Sequence, residues 1–217
     1  MAGRRKPARQ IGAKPLSAIE HIPFTSLGAA EFGWLSARHH FSFGHYVDRS
    51  RMGLGALRVW NDDEIAPGTG FSPHPHRDME IVTFVRAGAI THEDSLGNSG
   101  RTEAGDIQVM SAGGGIVHAE YNREAEATRL FQIWFLPRSS GGQPWWETRR
   151  FPERQPGAGF VPLASGFADD QALGAIPINS DAALHAGRFA SGDATSVTLA
   201  AGERAYLVAA AGDLAVN

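Results

Sequence analysis

Residues 68–80 read GTGFSPHPHRDME and run straight into Ile81, Val82, Thr83, Phe84 and Val85, the most strand-like stretch of the chain. So many β-branched and aromatic side chains in a row leave little polar alternation, and the strand is expected to be covered on both faces, as in a barrel or sandwich interior. Just ahead of it, His74 and His76 stand two residues apart. In extended backbone such residues project to the same face, so both imidazoles can reach one ion. Residues 115–122, GIVHAEYN, repeat the spacing with one imidazole, His118, and one carboxylate, Glu120. Either pair alone is a weak signal, since two polar residues at a strand end are ordinary. On strands that a barrel brings face to face, the two pairs predict a metal centre of His74, His76, His118 and Glu120. Four ligands leave two positions on an octahedral ion for water, dioxygen or a bidentate oxygen donor.

Outward from these pairs, the 26 glycines and 12 prolines are spread along the 217 residues, which suits many short strands joined by turns. An all-β fold follows, with strands expected over 55–60, 79–85, 89–92, 106–110 and 129–136. Residues 96–100, LGNSG, read as a turn between strands, and Gly113, Gly114 and Gly115 mark a place where backbone bends or approaches something closely. Helix signals are confined to a short piece at 169–173. A proline- and glycine-rich shift over 137–156 suggests a domain boundary. The expected division is a basic flexible tail (1–20), a metal-binding domain (21–140), a linker (141–156) and a second β-domain without metal ligands (157–217). In that last part strands are expected at 196–199, 205–209 and 214–216, with the strand pattern still open at Asn217.

The formal net charge of −3 gives no general drive toward nucleic acid or a membrane surface, so small molecules and proteins are the expected partners. With no cysteine, a metal site must use imidazole and carboxylate. Arg4, Arg5, Lys6, Arg9 and Lys14 form a basic tail with no apolar segment behind it, which does not read as a secretory signal. A cytoplasmic location is expected, and no apolar run approaches the roughly 20 residues that span a bilayer.

The motifs also resemble a known family. Gly68, His74, His76, Glu80 and Gly88 fall close to the first cupin motif, and Gly105, Gly115, His118 and Asn122 approximate the second. The second departs from the general pattern in its longer spacing, and in Ser111 and Gly113 where a proline is usual. Segments 38–44 (RHHFSFG), 61–63 (NDD), 74–80 (HPHRDME), 92–98 (HEDSLGN), 110–113 (MSAG) and 132–134 (QIW) each look like the bacterial branch of the pirins, over about residues 34–150. The resemblance implies a bicupin: two β-barrels packed face to face, the first holding the metal, the second without its ligands and here incomplete at the C-terminus. His185, the one histidine beyond residue 150, fits a second barrel without ligands. The family's ligand set carries onto His74, His76, His118 and Glu120, and iron, as Fe(II), is the metal it implies, with Ni, Co, Cu or Zn as alternatives.

Two activities follow from the resemblance. One is a quercetin 2,3-dioxygenase, opening a flavonol or similar enolic aromatic ring with O₂, with Glu120 as the base. The other is a metal-dependent regulator that meets a protein partner without turnover. A monomer is expected. Glu80, four residues beyond His76, is placed by strand alternation on the histidine face, where it could ligate, support a ligand, or pair with Arg77 or Arg86, and it reads first as supporting or structural. His39, His40 and His45 lack an accompanying carboxylate pair and read as hydrogen-bonding or pocket-lining groups. His92 reads as structural, and Trp134, Trp145 and Trp146 as core and domain-interface packing.

Overall fold

The computed structural model describes residues 19–151, 157 and 159–217. Residues 1–18 of the expected tail and residues 152–156 of the expected linker lie outside them. The strands are β1 (Gly28–Glu31), β2 (Leu35–His39), β3 (Leu57–Ile65), β4 (Gly70–His76), β5 (Glu80–Ala87), β6 (Ala89–Asp94) and β7 (Ser99–Glu103). They continue as β8 (Ile107–Ser111), β9 (Ile116–Tyr121), β10 (Thr128–Phe135), β11 (Trp145–Arg149), β12 (Val161–Ser165), β13 (Ile176–Pro177) and β14 (Ala183–Ala186). The one α-helix among the described residues, α1 (Ala168–Ala172), is a single turn at the place expected. None of the described helices is long and apolar enough to cross a membrane.

A seven-stranded sheet runs β1-β2-β3-β10-β5-β8-β11 and a four-stranded sheet runs β4-β9-β6-β7. Period-2 alternation sorts the side chains of the large sheet into two cores. From one face, Ile65, Val85 and Leu130 pack with Ile90 of β6, and Ile81 and Met110 pack with Ile116 of β9, so this face closes against the four-stranded sheet as a barrel. From the other face, Trp60, Val82, Ile107, Val109, Phe131, Ile133 and Phe135 pack with Leu163, Ile176, Ile178 and Leu184 of the C-terminal part. Burying each of these large apolar side chains contributes roughly 1.5–3 kcal/mol. This double coverage is why residues 81–85 carry so little polar alternation.

The chain departs from its sequence reading in three places. The expected linker contains β11, whose Trp145 and Trp146 pair with Ser111 and Met110 and extend the large sheet by an edge strand. Two tryptophans in a proline- and glycine-rich setting are poor periodicity signals, but their cross-strand partners are buried. Second, the strands expected at 196–199, 205–209 and 214–216 are not formed. The C-terminal sheet is three-stranded, β13-β12-β14, and residues 187–217 run without regular strand pairing. Alternation shows that a segment can be a strand, whereas a strand needs a neighbour for its backbone groups.

The third departure concerns Glu80. Between β4 and β5 the chain turns at Asp78, which takes the left-handed conformation (φ 50°) and accepts the backbone N–H of Gly141 at 2.6 Å. Gly113 packs beside this turn. It too is left-handed (φ 44°), and a Cβ there would meet the carbonyl oxygen of Gly142 at 2.6 Å. The turn carries the chain from the small sheet to the large one, so alternation does not run through from His76 to Glu80. Glu80 accepts the hydroxyl of Ser111 at 2.6 Å and a backbone hydrogen bond from Asn179, and burial pushes its carboxyl above the usual range. It is structural, tied to the C-terminal part, and pairs with neither Arg77 nor Arg86.

Candidate metal centre

Strand β9 lies between β4 and β6, and its register decides what meets what. His118 is paired with His74 on one side and Asp94 on the other, and Glu120 with Phe71 and His92. The edge position of β4 tolerates Pro73 and Pro75, which a central strand would not. A register irregularity between Phe71 and His74 aims the two histidines of this strand at His118.

The ring centroids of His74, His76 and His118 are 4.5–5.0 Å apart, and one nitrogen from each can be chosen so that all three lie within 4.8 Å of one another. Hydrogen bonds set which nitrogens are free. His74 donates its Nδ1–H to the carbonyl of Ser72 at 2.7 Å, leaving a lone pair on Nε2. His92 donates its Nε2–H to Asp94 at 3.0 Å, so the Nδ1 of a neutral His92 ring is an acceptor. The Nδ1–H of His118, 3.3 Å away, donates to it. His118 Nε2 is then a buried nitrogen bearing a lone pair, and it has no hydrogen-bond partner. Burial, followed by the neighbouring imidazoles, lowers His118 to about 3 and His76 to about 4, so both are neutral near pH 7. Three clustered imidazoles, of which His76 and His118 are neutral near pH 7, fit a divalent transition metal. The ring of Trp134 stands perpendicular to that of His76, with centroids 4.9 Å apart.

Glu120 is placed differently from the three histidines. Its carboxylate groups with His92 and His118 rather than with His74 and His76. One oxygen accepts from Gln132 Nε2 at 2.6 Å, and the other accepts from Gln108 Nε2 at 2.5 Å and Thr83 Oγ1 at 3.3 Å. Nearby Asp63 is buried with Oδ1 unpaired, and burial, then the charges of Asp62 and Glu120, push it well above the usual carboxylate range.

Sequence reasoning gave no role in the site to Gln108, Gln132 or the His92–Asp94 pair. A signal was present for the first two, because each is an amide flanked on both sides by apolar residues in its strand, and a buried amide needs partners. His39 and His40 lie away from the histidine trio. His39 Nδ1 contacts Asn61 Oδ1 at 2.8 Å, and His40 Nδ1 contacts the Tyr206 hydroxyl at 2.9 Å. A cleft of about 360 Å³ opens beside His76, walled by Pro75, Arg77, Ser95, Ile116 and Val117. A larger one, about 480 Å³, lies between residues 20–26 and Ser50 and Arg51; none of the three clustered histidines lines it.

Comparison with known proteins agrees with this construction. Residues 23–135 match the pirin family model, and residues 163–217 match that of the quercetinase C-terminal cupin domain. The chain is 57% identical over 199 residues to a pirin-like protein of Caulobacter vibrioides, covering 92% of this chain and 85% of that one. It is 40% identical over 191 residues to the quercetin 2,3-dioxygenase of Escherichia coli K12, covering 88% and 80%. Among solved structures, the bacterial pirin YhhW of Escherichia coli in complex with nickel(II) superposes with a TM-score of 0.68 at 44% identity, over 75% of this chain and 68% of that one. With a cupin fold, a barrel that gathers three histidines, and both family models matched in order along the sequence, the chain belongs to the pirin family.

Proposed function

We propose that the protein is a metal-dependent dioxygenase of the quercetin 2,3-dioxygenase type, holding one divalent metal ion on His74, His76 and His118, with Glu120 as fourth ligand and base. The observation that carries this reading is the bare Nε2 of His118, a buried lone pair beside two further imidazoles. A buried nitrogen without a partner costs about 1–3 kcal/mol, a cost that a metal ion would remove. The relatives named for this activity support the choice of substrate class, a flavonol or similar enolic aromatic, and of O₂ as co-substrate. The nickel complex of YhhW supports a divalent ion. Fe(II) and Ni(II) are the first candidates, with Co, Cu and Zn to be compared.

When bound, the ion supplies Lewis acidity to the hydroxyl and ketone oxygens of the substrate. The chain's own residues do the rest. Glu120 takes the hydroxyl proton onto a carboxylate oxygen, which leaves the substrate as the electron-rich anion that reacts with O₂. Gln108, Gln132 and Thr83 hold that carboxylate in reach. The cleft beside His76, walled in part by Pro75, Ile116 and Val117, offers apolar surface for a flat ring.

The test is to load metal-free protein with Fe(II), Ni(II), Co(II), Cu(II) or Zn(II) and follow O₂ uptake together with loss of flavonol absorbance. Turnover with at least one metal is expected, lost in the His74→Ala, His118→Ala double variant. Stoichiometric metal binding without O₂ consumption would sink the flavonol reading and turn attention to a regulatory role with a protein partner.

A further inference from the structure

Trp146 touches both arms of the site. Its indole stacks on His92, with centroids 4.7 Å apart and planes 6° from parallel, in a space that exists because residue 100 is glycine. A Cβ on Gly100 would come within 2.3 Å of the indole. On its other side, Trp146 donates Nε1–H to Gln108 Oε1 at 3.2 Å. Indole nitrogen can only donate, so the Gln108 atom facing it must be the oxygen. Thr102 Oγ1 also lies 3.3 Å from that oxygen, but its single proton is shared with Thr148 Oγ1 at 2.8 Å. Trp146 is therefore the unambiguous donor that orients the amide. With Oε1 fixed, Gln108 Nε2 must face Thr83 and Glu120. Gln132 Nε2 completes the clamp on the other carboxylate oxygen.

We propose that Trp146 is a positioning residue for Glu120. Through Gln108 it turns the carboxylate onto the barrel wall, away from His74 and His76, and makes Glu120 a weak, exchangeable fourth ligand. This rests on the reading of the histidine trio as a metal site. Glu120 then has two competing sets of partners, the amides and the ion, and its readiness to leave the ion is set by a tryptophan that never touches it.

Co(II) is a suitable probe because its visible spectrum reports the ligand set independently of turnover. Trp146→Phe keeps the ring on His92 but removes the N–H. Without that donor Gln108 Oε1 loses its indole partner, the amide is free to shift, and its Nε2–H holds the carboxylate less firmly against the pull of the ion. Co(II) is expected to bind about tenfold more tightly than in wild type, the equivalent of one charge-assisted hydrogen bond, with a changed visible spectrum. Gln108→Leu should reproduce both changes, and the Trp146→Phe, Gln108→Leu double variant should match Gln108→Leu alone. Adding Glu120→Gln to Trp146→Phe should abolish the gain. Unchanged Co(II) affinity and spectrum in Trp146→Phe overturn the proposal, as does a loss of affinity that persists in the Glu120→Gln background, which would mean that Trp146 acts only by packing on His92. Failure of the parent reading looks different: wild type and the His74→Ala, His118→Ala variant would then bind Co(II) alike.

Discussion

His92 meets His118 nitrogen to nitrogen, with 3.3 Å between the two Nδ1 atoms in the barrel interior. Two ring nitrogens at that distance share one proton, and Asp94 decides which ring carries it. Asp94 Oδ1 is already committed to the backbone N–H groups of Leu96 and Asn98, and Oδ2 accepts from His92 Nε2 and Asn98 Nδ2. Burial works against the Asp94 charge, but the hydrogen bonds from Asn98 and His92 outweigh it and hold the carboxyl below its usual range.

Asp94→Asn is nearly isosteric but puts an amide N–H where Oδ2 was. His92 must then accept at Nε2 and carry its proton on Nδ1, which forces the proton of His118 onto Nε2. Metal affinity is expected to fall by about 10–100-fold with the fold intact. A competitive metal titration checks this, and an unchanged dissociation constant would remove the His92–Asp94 pair from the account of the site.

Gly70 pairs with Tyr121 where β4 meets β9, and a Cβ there would lie 2.1 Å from the carbonyl oxygen of Glu120. Gly70→Ala must push the two strands apart beside the histidine pair. A destabilisation of about 1–3 kcal/mol is expected, with substoichiometric metal binding, read by urea unfolding and metal analysis. Full metal occupancy at wild-type stability would show that the β4–β9 contact yields easily.

His40 is buried, and burial, then the charges of Arg51, Arg86 and His39, lower it from 6.5 to about 4. A base depressed in the folded state favours folding only while it is neutral. Its contribution is complete above pH 6.5 and is lost as pH falls through about 4, on the order of 3 kcal/mol in all. His76 and His118 act in the same direction, so the His40 share is isolated by difference. The stability profile of His40→Gln between pH 4 and 6.5 should be flatter than that of wild type; parallel profiles would mean that His40 gains its proton without unfolding cost.

The Tyr206 hydroxyl meets His40 Nδ1 at 2.9 Å and hydrogen-bonds with Arg51, and its ring packs on Phe41 and Trp60. Tyr206→Phe keeps the packing and leaves a buried imidazole nitrogen without its partner. A loss of about 1–2 kcal/mol is expected in chemical denaturation. No loss would show that residues 187–217, which form no regular strand, contribute nothing through this contact.

Much of this was legible in local pattern. His74 and His76, and His118 with Glu120, are pairs two apart on strands, and alternation alone puts each pair on one face. What alternation could not carry was the turn at Asp78, where one left-handed residue moves the chain to another sheet and sends Glu80 to the opposite side of the barrel wall. Nor could it supply a pairing partner, so strand-like residues 196–199 and 205–209 read the same as those that do pair.

The sequence by itself determined the all-β class, the candidate set of His74, His76, His118 and Glu120, and the absence of thiolate chemistry, because these depend on residue type and on spacings within single strands. Tertiary structure decided how the candidate ligands are held. The proton on His118 is set by Asp94 through His92, and the direction of Glu120 by Gln132 and, through Gln108, by Trp146, which lies 26 residues beyond Glu120 in the chain. These are contacts between strands brought together by folding, and a hydrogen bond's donor and acceptor are assigned only once every neighbour of each buried polar atom is in place.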